Sequence, residues 1–188
     1  MILDRIIADK AQRLETSKRV RPLAALKGLA MEQPPARDLA RALRGNGIKL
    51  IAEVKKASPS RGVIRADLDP VALARTYAEN GAAAISVLTE ERHFLGSLDF
   101  LRAVRHSLEA KAIPLLRKDF IFDPYQVYES RAYGADALLL IAAILEKEQL
   151  CGLLSLSHDL GMACLVEVHQ ESELERALAS GAVVIGIN

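Results

Sequence analysis

The chain has 188 residues, 51% hydrophobic and 26% charged, with a formal net charge of +1 at pH 7. That is the composition of one ordinary globular domain. Near-neutral charge argues against nucleic acid or an acidic membrane surface as the partner, and the absence of tryptophan with only 4% aromatics argues against base-stacking platforms.

In chain order, Ile2, Ile6, Ile7 and Leu14 approximate a helical stripe among Asp4, Arg5, Asp9, Lys10, Arg13 and Glu15. The spacing predicts an amphipathic helix over residues 2–18, with Lys10, Arg13 and Lys18-Arg19 on its solvated face. Asp4 interrupts the first apolar stretch, so the amino terminus lacks a signal-peptide layout, and no apolar run approaches the roughly 18 residues of a membrane span. A connector with Pro22, Pro34 and Pro35 follows, then a short helix near Asp38–Leu43 and a turn at Gly45-Asn46-Gly47. Residues 1–47 are expected to form a helical N-terminal extension and residues 48–188 the regular part of the chain.

From residue 48 onward, apolar, β-rich runs fall at about 48–54, 83–88, 113–117, 136–141, 163–168 and 183–187, and helical periodicity follows each of the first five. Leu101, Val104 and Leu108 make one such stripe; Leu174, Ala177 and Leu178 make another. Asp69-Pro70 and Asp123-Pro124 each supply an N-cap with proline in the first helical position. Gly81, Gly134 and Gly181, each followed by alanine and a strand, suit left-handed helix caps. Cys151 and Cys164 have neither CxxC spacing nor a histidine at zinc-ligand distance. They read as buried reduced thiols of a cytoplasmic protein.

Near-continuous apolar strands alternating with helices predict a parallel sheet, in either a doubly wound open sheet or a (β/α)8 TIM barrel. Polar residues at the strand ends favour the barrel, which gathers every strand C-terminus into one mouth. The first run ends in Glu53 and Lys55, whose side chains project to one face while Lys56 takes the other. Thr89-Glu90 ends the second run, Lys118 the third, Glu167 and His169 the fifth and Asn188 the sixth. Lys118 shares a face with Phe120, and Arg117 shares the opposite one with Asp119. No GxGxxG or GxxxxGK[ST] follows the first strand, against a nucleotide-binding fold.

The chain resembles the indole-3-glycerol-phosphate synthase family, (β/α)8 enzymes of tryptophan biosynthesis. The resemblance rests on Ile51-Ala-Glu-Val-Lys-Lys-Ala-Ser-Pro-Ser-Arg-Gly62, Ala84-Ile-Ser-Val-Leu-Thr-Glu90 with Phe94-Leu-Gly-Ser97, and Leu115-Leu-Arg-Lys-Asp-Phe120. Asp123-Pro-Tyr-Gln126, Ala135-Asp-Ala-Leu-Leu-Leu-Ile141, Leu165-Val-Glu167 and Gly186-Ile-Asn188 follow in family order. The resemblance implies ring closure, decarboxylation and dehydration of 1-(2-carboxyphenylamino)-1-deoxyribulose 5-phosphate, with no metal and no cofactor. It implies Lys118 as the general acid, Lys55 beside the anthranilate carboxylate and assisting dehydration, and Glu53 and Glu167 as acid/base carboxylates. Asn188 would contact substrate, Phe94, Phe120 and Leu139 would wall the ring, and Ser58 would lie on the loop that approaches the ligand. In the family the sixth strand continues into Asn-Arg-Asp-Leu and two further βα units. About six of eight units are therefore expected here, with self-association or a complementing C-terminal segment to complete the mouth.

Part of this chemistry also follows from the residue types. Attack of an arene carbon on a carbonyl needs a proton donor at the oxygen, which an ammonium beside carboxylates supplies. Loss of carboxylate and hydroxide needs a base and a second acid, and two lysines with two glutamates cover those roles. Plainer readings stand beside these: Glu53–Lys55 as a strand-capping ion pair, the phenylalanines as core and His169 as a hydrogen-bonded rim residue. His93, His106 and His158 read as solvated, and Ser58-Pro-Ser60 as a mobile lid. Two other functions stay open on the residues alone: a sugar-phosphate aldolase or isomerase using Lys118 as a Schiff-base amine, and a non-catalytic barrel fragment.

Overall fold

A computed structural model describes residues 2–188. Three helices come first: α1 (Ile2–Val20), α2 (Leu23–Glu32) and α3 (Leu39–Ala42). The alternating part is β1 (Ile51–Val54), a small hairpin β2 (Ala57–Ser58) and β3 (Gly62–Val63), α4 (Pro70–Glu79), β4 (Ala84–Leu88), α5 (Leu98–Ser107), β5 (Leu115–Lys118) and α6 (Pro124–Ala132). It continues with β6 (Ala137–Ile141), a 3-10 turn at Ala142–Ile144, α7 (Lys147–Asp159), β7 (Ala163–Val168), α8 (Glu171–Ala179) and β8 (Val184–Ile187). Among the described residues, six strands form one parallel sheet in the order β1-β4-β5-β6-β7-β8, curled into a half-barrel. The order is sequential because each helix crosses over to the next neighbouring strand, as right-handed βα units do.

Strand alternation splits the sheet into two faces. The outer face, with Val54, Ile85, Val87, Leu138, Leu140 and Val166, packs under the helices as the main core. The inner face begins with a lower layer of Ala84, Leu116 and Ala137, joined by partly buried Ile51, Ala163 and Leu165. Leu39 of α3 plugs this layer from below and is fully buried. Helix α3 is thus part of the barrel's core. Leu26 and Ala30 of α2 pack with Tyr125 and Ala132 of α6 in a further cluster.

At the same end, Asp136 ties the extension to the sheet. Its carboxylate accepts two hydrogen bonds from the Arg105 guanidinium (3.0 and 2.8 Å), one from the Arg37 amide (2.9 Å) and one from the Leu115 amide (2.9 Å). Arg37 in turn donates to the carbonyls of Ile113, Leu108 and Glu109. A carboxylate with no exposure is tolerated because each oxygen is paired.

Helix punctuation matches the sequence. Asp69 accepts from the amides of Val71 and Ala72, and Asp123 forms a capping box with Gln126. Gly81, Gly134 and Gly181 adopt φ of 84°, 87° and 85°, where a side chain would be strained. Four expectations are corrected. Helix α2 lies where a connector was expected. Strand β1 starts at Ile51, and Ile48 is 99% exposed. Lys10 does not sit on a solvated face, since it pairs with the buried Asp119 at 2.7 Å. His93 is not solvated either; its ring is 2.9 Å from Asp9 and largely buried. His106 and His158 are exposed, as expected.

Candidate active site

Parallel pairing sets the register that builds the site: Glu53 opposite Ser86, Leu88 opposite Lys118, and Ile141 opposite Glu167. All six side chains fall on the inner face above the apolar layer. All but Ser86 line a cavity of about 290 Å³ at the C-terminal ends of the strands. Lys55, Phe94, Phe120, Leu139 and Asn188 line it as well. Sequence reasoning had not picked out Leu3, Leu88, Asp119 and Ile141 at this cavity; His169, read as a rim residue, also reaches it.

The charges form a connected set. The Lys55 ammonium donates to Glu53 Oε1 at 2.5 Å, and the Lys118 ammonium stands 3.3 Å from Glu53 Oε2. Ser86 Oγ donates to the same Oε2 at 3.4 Å. The Tyr77 hydroxyl of α4 holds the Glu53 carbonyl at 3.2 Å, fixing the end of β1. Burial alone would raise the Glu53 carboxyl, but the two ammonium groups outweigh it and hold Glu53 below the usual carboxylate range. One carboxylate therefore bridges two cations over an apolar floor. On the far side Asn188 donates to Glu167 Oε1 at 3.2 Å, and His169 Nε2 lies 3.5 Å from that oxygen.

Phe94 and Phe120 face each other across the cavity wall, ring centroids 6.1 Å apart and planes tilted by 43°. Phe94 owes its place to Glu90, a buried carboxylate that accepts from three successive amides: Arg92 (3.0 Å), His93 (2.6 Å) and Phe94 (2.9 Å). The next residues finish the turn. Leu95 has φ of 51°, and a Cβ on Gly96 would meet the Leu88 carbonyl oxygen at 2.3 Å. Phe120 is placed by Asp119, whose Oδ1 accepts its amide at 2.9 Å. Asp119 Oδ2 accepts from Thr89, Lys10 and Arg117. Burial would raise this carboxyl, but Lys10 and Arg117 outweigh it and leave it far below the ordinary range.

Ser58 is not among the lining residues. It sits in the exposed β2–β3 hairpin, its hydroxyl accepting from the Arg61 amide at 3.3 Å. The hairpin meets the wall through its base, where the Ala57 amide donates to the Phe94 carbonyl at 3.2 Å. Among the described residues no group of three or more His, Cys, Asp or Glu side chains is placed to hold a metal ion.

Several known proteins are similar to this chain. An indole-3-glycerol phosphate synthase of Dehalococcoides mccartyi (strain CBDB1) is 62% identical over 189 residues, an alignment spanning 100% of this chain and 73% of that protein. The synthases of Roseiflexus sp. (strain RS-1) and Mycobacterium avium (strain 104) are 56% and 52% identical, again over 100% of this chain and over 71% and 66% of theirs. Among solved structures, a 3-hexulose-6-phosphate synthase superposes with a TM-score of 0.59 at 14% identity, covering 75% of this chain and 66% of its own. A 3-keto-L-gulonate-6-phosphate decarboxylase from Vibrio cholerae gives 0.56 at 14% identity, over 73% and 61%. At such identities the structures speak for the barrel fold alone. The family model for indole-3-glycerol phosphate synthase matches residues 3–188, and with the sequence relatives it establishes that the chain belongs to the indole-3-glycerol phosphate synthase family.

Proposed function

We propose that Glu53, Lys55, Lys118 and Glu167 carry the chemistry of this family's reaction, the decarboxylating ring closure that forms indole-3-glycerol phosphate in tryptophan biosynthesis. The observation that carries the proposal is the Glu53 carboxylate shared by Lys55 and Lys118 over a cavity walled by Phe94, Phe120 and Leu139. The anthranilate ring of 1-(2-carboxyphenylamino)-1-deoxyribulose 5-phosphate fits the phenylalanine wall, and its carboxylate fits the Lys55 side. Lys118 protonates the carbonyl oxygen as the ring carbon attacks, and Glu53 keeps that ammonium charged and aimed. Carbon dioxide leaves and aromaticity returns. Lys55 then assists departure of the hydroxyl as water, while Glu167, oriented by Asn188, takes the proton released. Apolar walls strengthen each of these interactions. Ser58 joins the ligand when its exposed hairpin closes over the mouth.

The aldolase reading, with Lys118 as a Schiff-base amine, is not favoured, because the relatives at 52–62% identity are all synthases. Lys118→Met tests the assignment. Indole fluorescence should fall about 10²-fold or more, the usual worth of a positioned general acid. Activity within twofold of the parent would overturn it, and borohydride trapping of a phosphoketose on Lys118 would restore the aldolase.

Residues 1–47 serve as the helical extension and 48–188 as the barrel portion in this reading, supported by helices up to Ala42 and a first strand at Ile51. No described helix is long and apolar enough to cross a membrane. A cytoplasmic location is supported by Cys164, unpaired and buried, its thiol pushed up to about 11 by burial. The open edges at β1 and β8 are flanked by exposed Ile48, Leu50, Val183 and Ile187. Self-association or a complementing C-terminal segment covers such edges. Sedimentation with amide exchange separates the cases: a dimer supports the first, slow β8 exchange only after adding the segment supports the second, and a well-protected lone monomer refutes both.

A further inference from the structure

We propose that the adjacent residues Asp9 and Lys10 of α1 form a two-pronged clamp that sets the Phe94–Phe120 wall, and so act as positioning residues for ring closure. The proposal rests on the reading of that wall as the seat of the substrate's aromatic ring. Consecutive helix residues point about 100° apart, so one turn of α1 reaches two different loops. Asp9 takes the loop after β4: its Oδ1 accepts from Arg92 Nη1 at 2.8 Å, and its Oδ2 lies 2.9 Å from His93 Nε2. Arg92 and His93 directly precede Phe94 and share with it the three amides gathered by Glu90. Lys10 takes the end of β5: its ammonium reaches Asp119 Oδ2 at 2.7 Å, and the other Asp119 oxygen holds the Phe120 amide.

Each prong therefore ends one bond network away from one ring of the wall. The Asp9–His93 and Lys10–Asp119 pairs are shielded, with side-chain exposures of 18% for Asp9, 12% for His93, 13% for Lys10 and none for Asp119, while Arg92 closes the first prong from the solvent side at 53% exposure. Shielded ion pairs hold their geometry better than surface pairs, whose long side chains roam. The same helix makes two further ion pairs to the barrel, Arg13–Glu91 and Lys18–Asp123. Lys18 lies two turns farther along α1 and pairs with Asp123, the N-cap of α6 at the far end of the β5–α6 loop, so its pair docks the helix without bonding Phe120 or the residues on either side of it. A misplacement of about 1 Å in a reacting group costs roughly 10²-fold in rate, so the clamp has kinetic leverage without touching substrate.

The chain has four phenylalanines, Phe94, Phe100, Phe120 and Phe122, which makes fluorine NMR of 4-fluorophenylalanine protein a direct readout of the wall. Asp9→Asn should shift or broaden the Phe94 line and Lys10→Met the Phe120 line, with Phe100 unchanged in both. Each variant should lower kcat/KM for the carboxyphenylamino-deoxyribulose phosphate at least tenfold. Lys10→Arg, which keeps the cation, should restore most of the loss, and Lys18→Met should leave lines and kinetics as they are. Unmoved Phe94 and Phe120 lines in Asp9→Asn and Lys10→Met would overturn the clamp. Equal effects from Lys18→Met would also overturn it, by reducing it to helix docking. Moved lines with unchanged kcat/KM would overturn instead the reading of the wall as the ring seat. Asp9→Asn keeps the experiment decisive if Lys10→Met, which strips a partner from buried Asp119, fails to fold.

Discussion

Glu53→Gln isolates the charge at the centre of the site while keeping its shape and an oxygen for Lys55. At an effective dielectric of about 20, two unit charges separated by the 3.3 Å between Glu53 and Lys118 attract by about 5 kcal/mol. Lys55 and Lys118 are each 35% exposed, so solvent screening and side-chain ordering cut the net worth of each pair to about 1 kcal/mol. Removing the carboxylate should therefore cost about 1–2 kcal/mol of folding stability at pH 7, the sum over two such pairs. The cost depends on pH with a definite sign. Glu53 is held below its unfolded value, so its contribution is complete above that value, near 4.3, and is lost as pH falls through the lower folded value. Urea unfolding of parent and variant at pH 7 and pH 3 should show a gap that narrows at the acid end. In steady state, indole fluorescence should show kcat down about 10²-fold, because Lys118 loses the partner that aims its proton. A stability gap independent of pH, or kcat within twofold of the parent, would refute the electrostatic account of this triad.

Leu39→Ala should open a cavity under the inner apolar layer and cost about 2–5 kcal/mol in denaturant unfolding, since the plug is fully buried; a loss under 1 kcal/mol would mean that α3 does not seal the barrel. Gly96→Ala should disorder the loop after β4, because its Cβ would stand 2.3 Å from a backbone oxygen that cannot retreat. Raised KM with faster amide exchange over 90–97 is the expected result, and parent-like kinetics would count against the tight turn as the support of Phe94. Native protein at pH 8 should take up one equivalent of thiol reagent at the partly exposed Cys151, the buried Cys164 reacting only on unfolding; rapid double labelling would contradict the burial of Cys164.

Much of this arrangement was legible in the sequence, and the reason is periodicity. Alternation along a strand places Glu53 with Lys55 and Lys118 with Phe120, and parallel register then brings those faces together. What stayed hidden depends on partners far apart in the chain. Asp9 and His93 are separated by 84 positions, and neither residue alone signals a pairing. Helix α2 was missed because prolines flank it and Gly28 interrupts it, so local signals favoured a connector, whereas packing of Leu26 and Ala30 on α6 decides the outcome. Ile48 and Leu50 look like strand residues by type, but both stay exposed outside β1.

Arg117 and Lys118 show how one strand separates a buried network from the cavity. They are chain neighbours with the same charge, and alternation sends them to opposite faces. Arg117 points outward with no exposure and spends every donor: Nε on Thr89, Nη1 on the Gln126 carbonyl and Ser130, Nη2 on Asp119 and Glu129. Burial would lower its proton affinity, but Glu129 and Asp119 outweigh that and keep it charged. Replacing such a cluster with apolar residues is often neutral or stabilising, so stability alone does not explain it. Its geometry does. The network ties β5 to Thr89 after β4, to α6 through Glu129, Gln126 and Ser130, and to α1 through the shared Asp119. A backbone fixed from three sides leaves Lys118 little freedom except in its own side chain. The inner lysine lies outside that network and is 35% exposed, so in the proposed role it can deliver a proton while the outer arginine holds the strand that carries it.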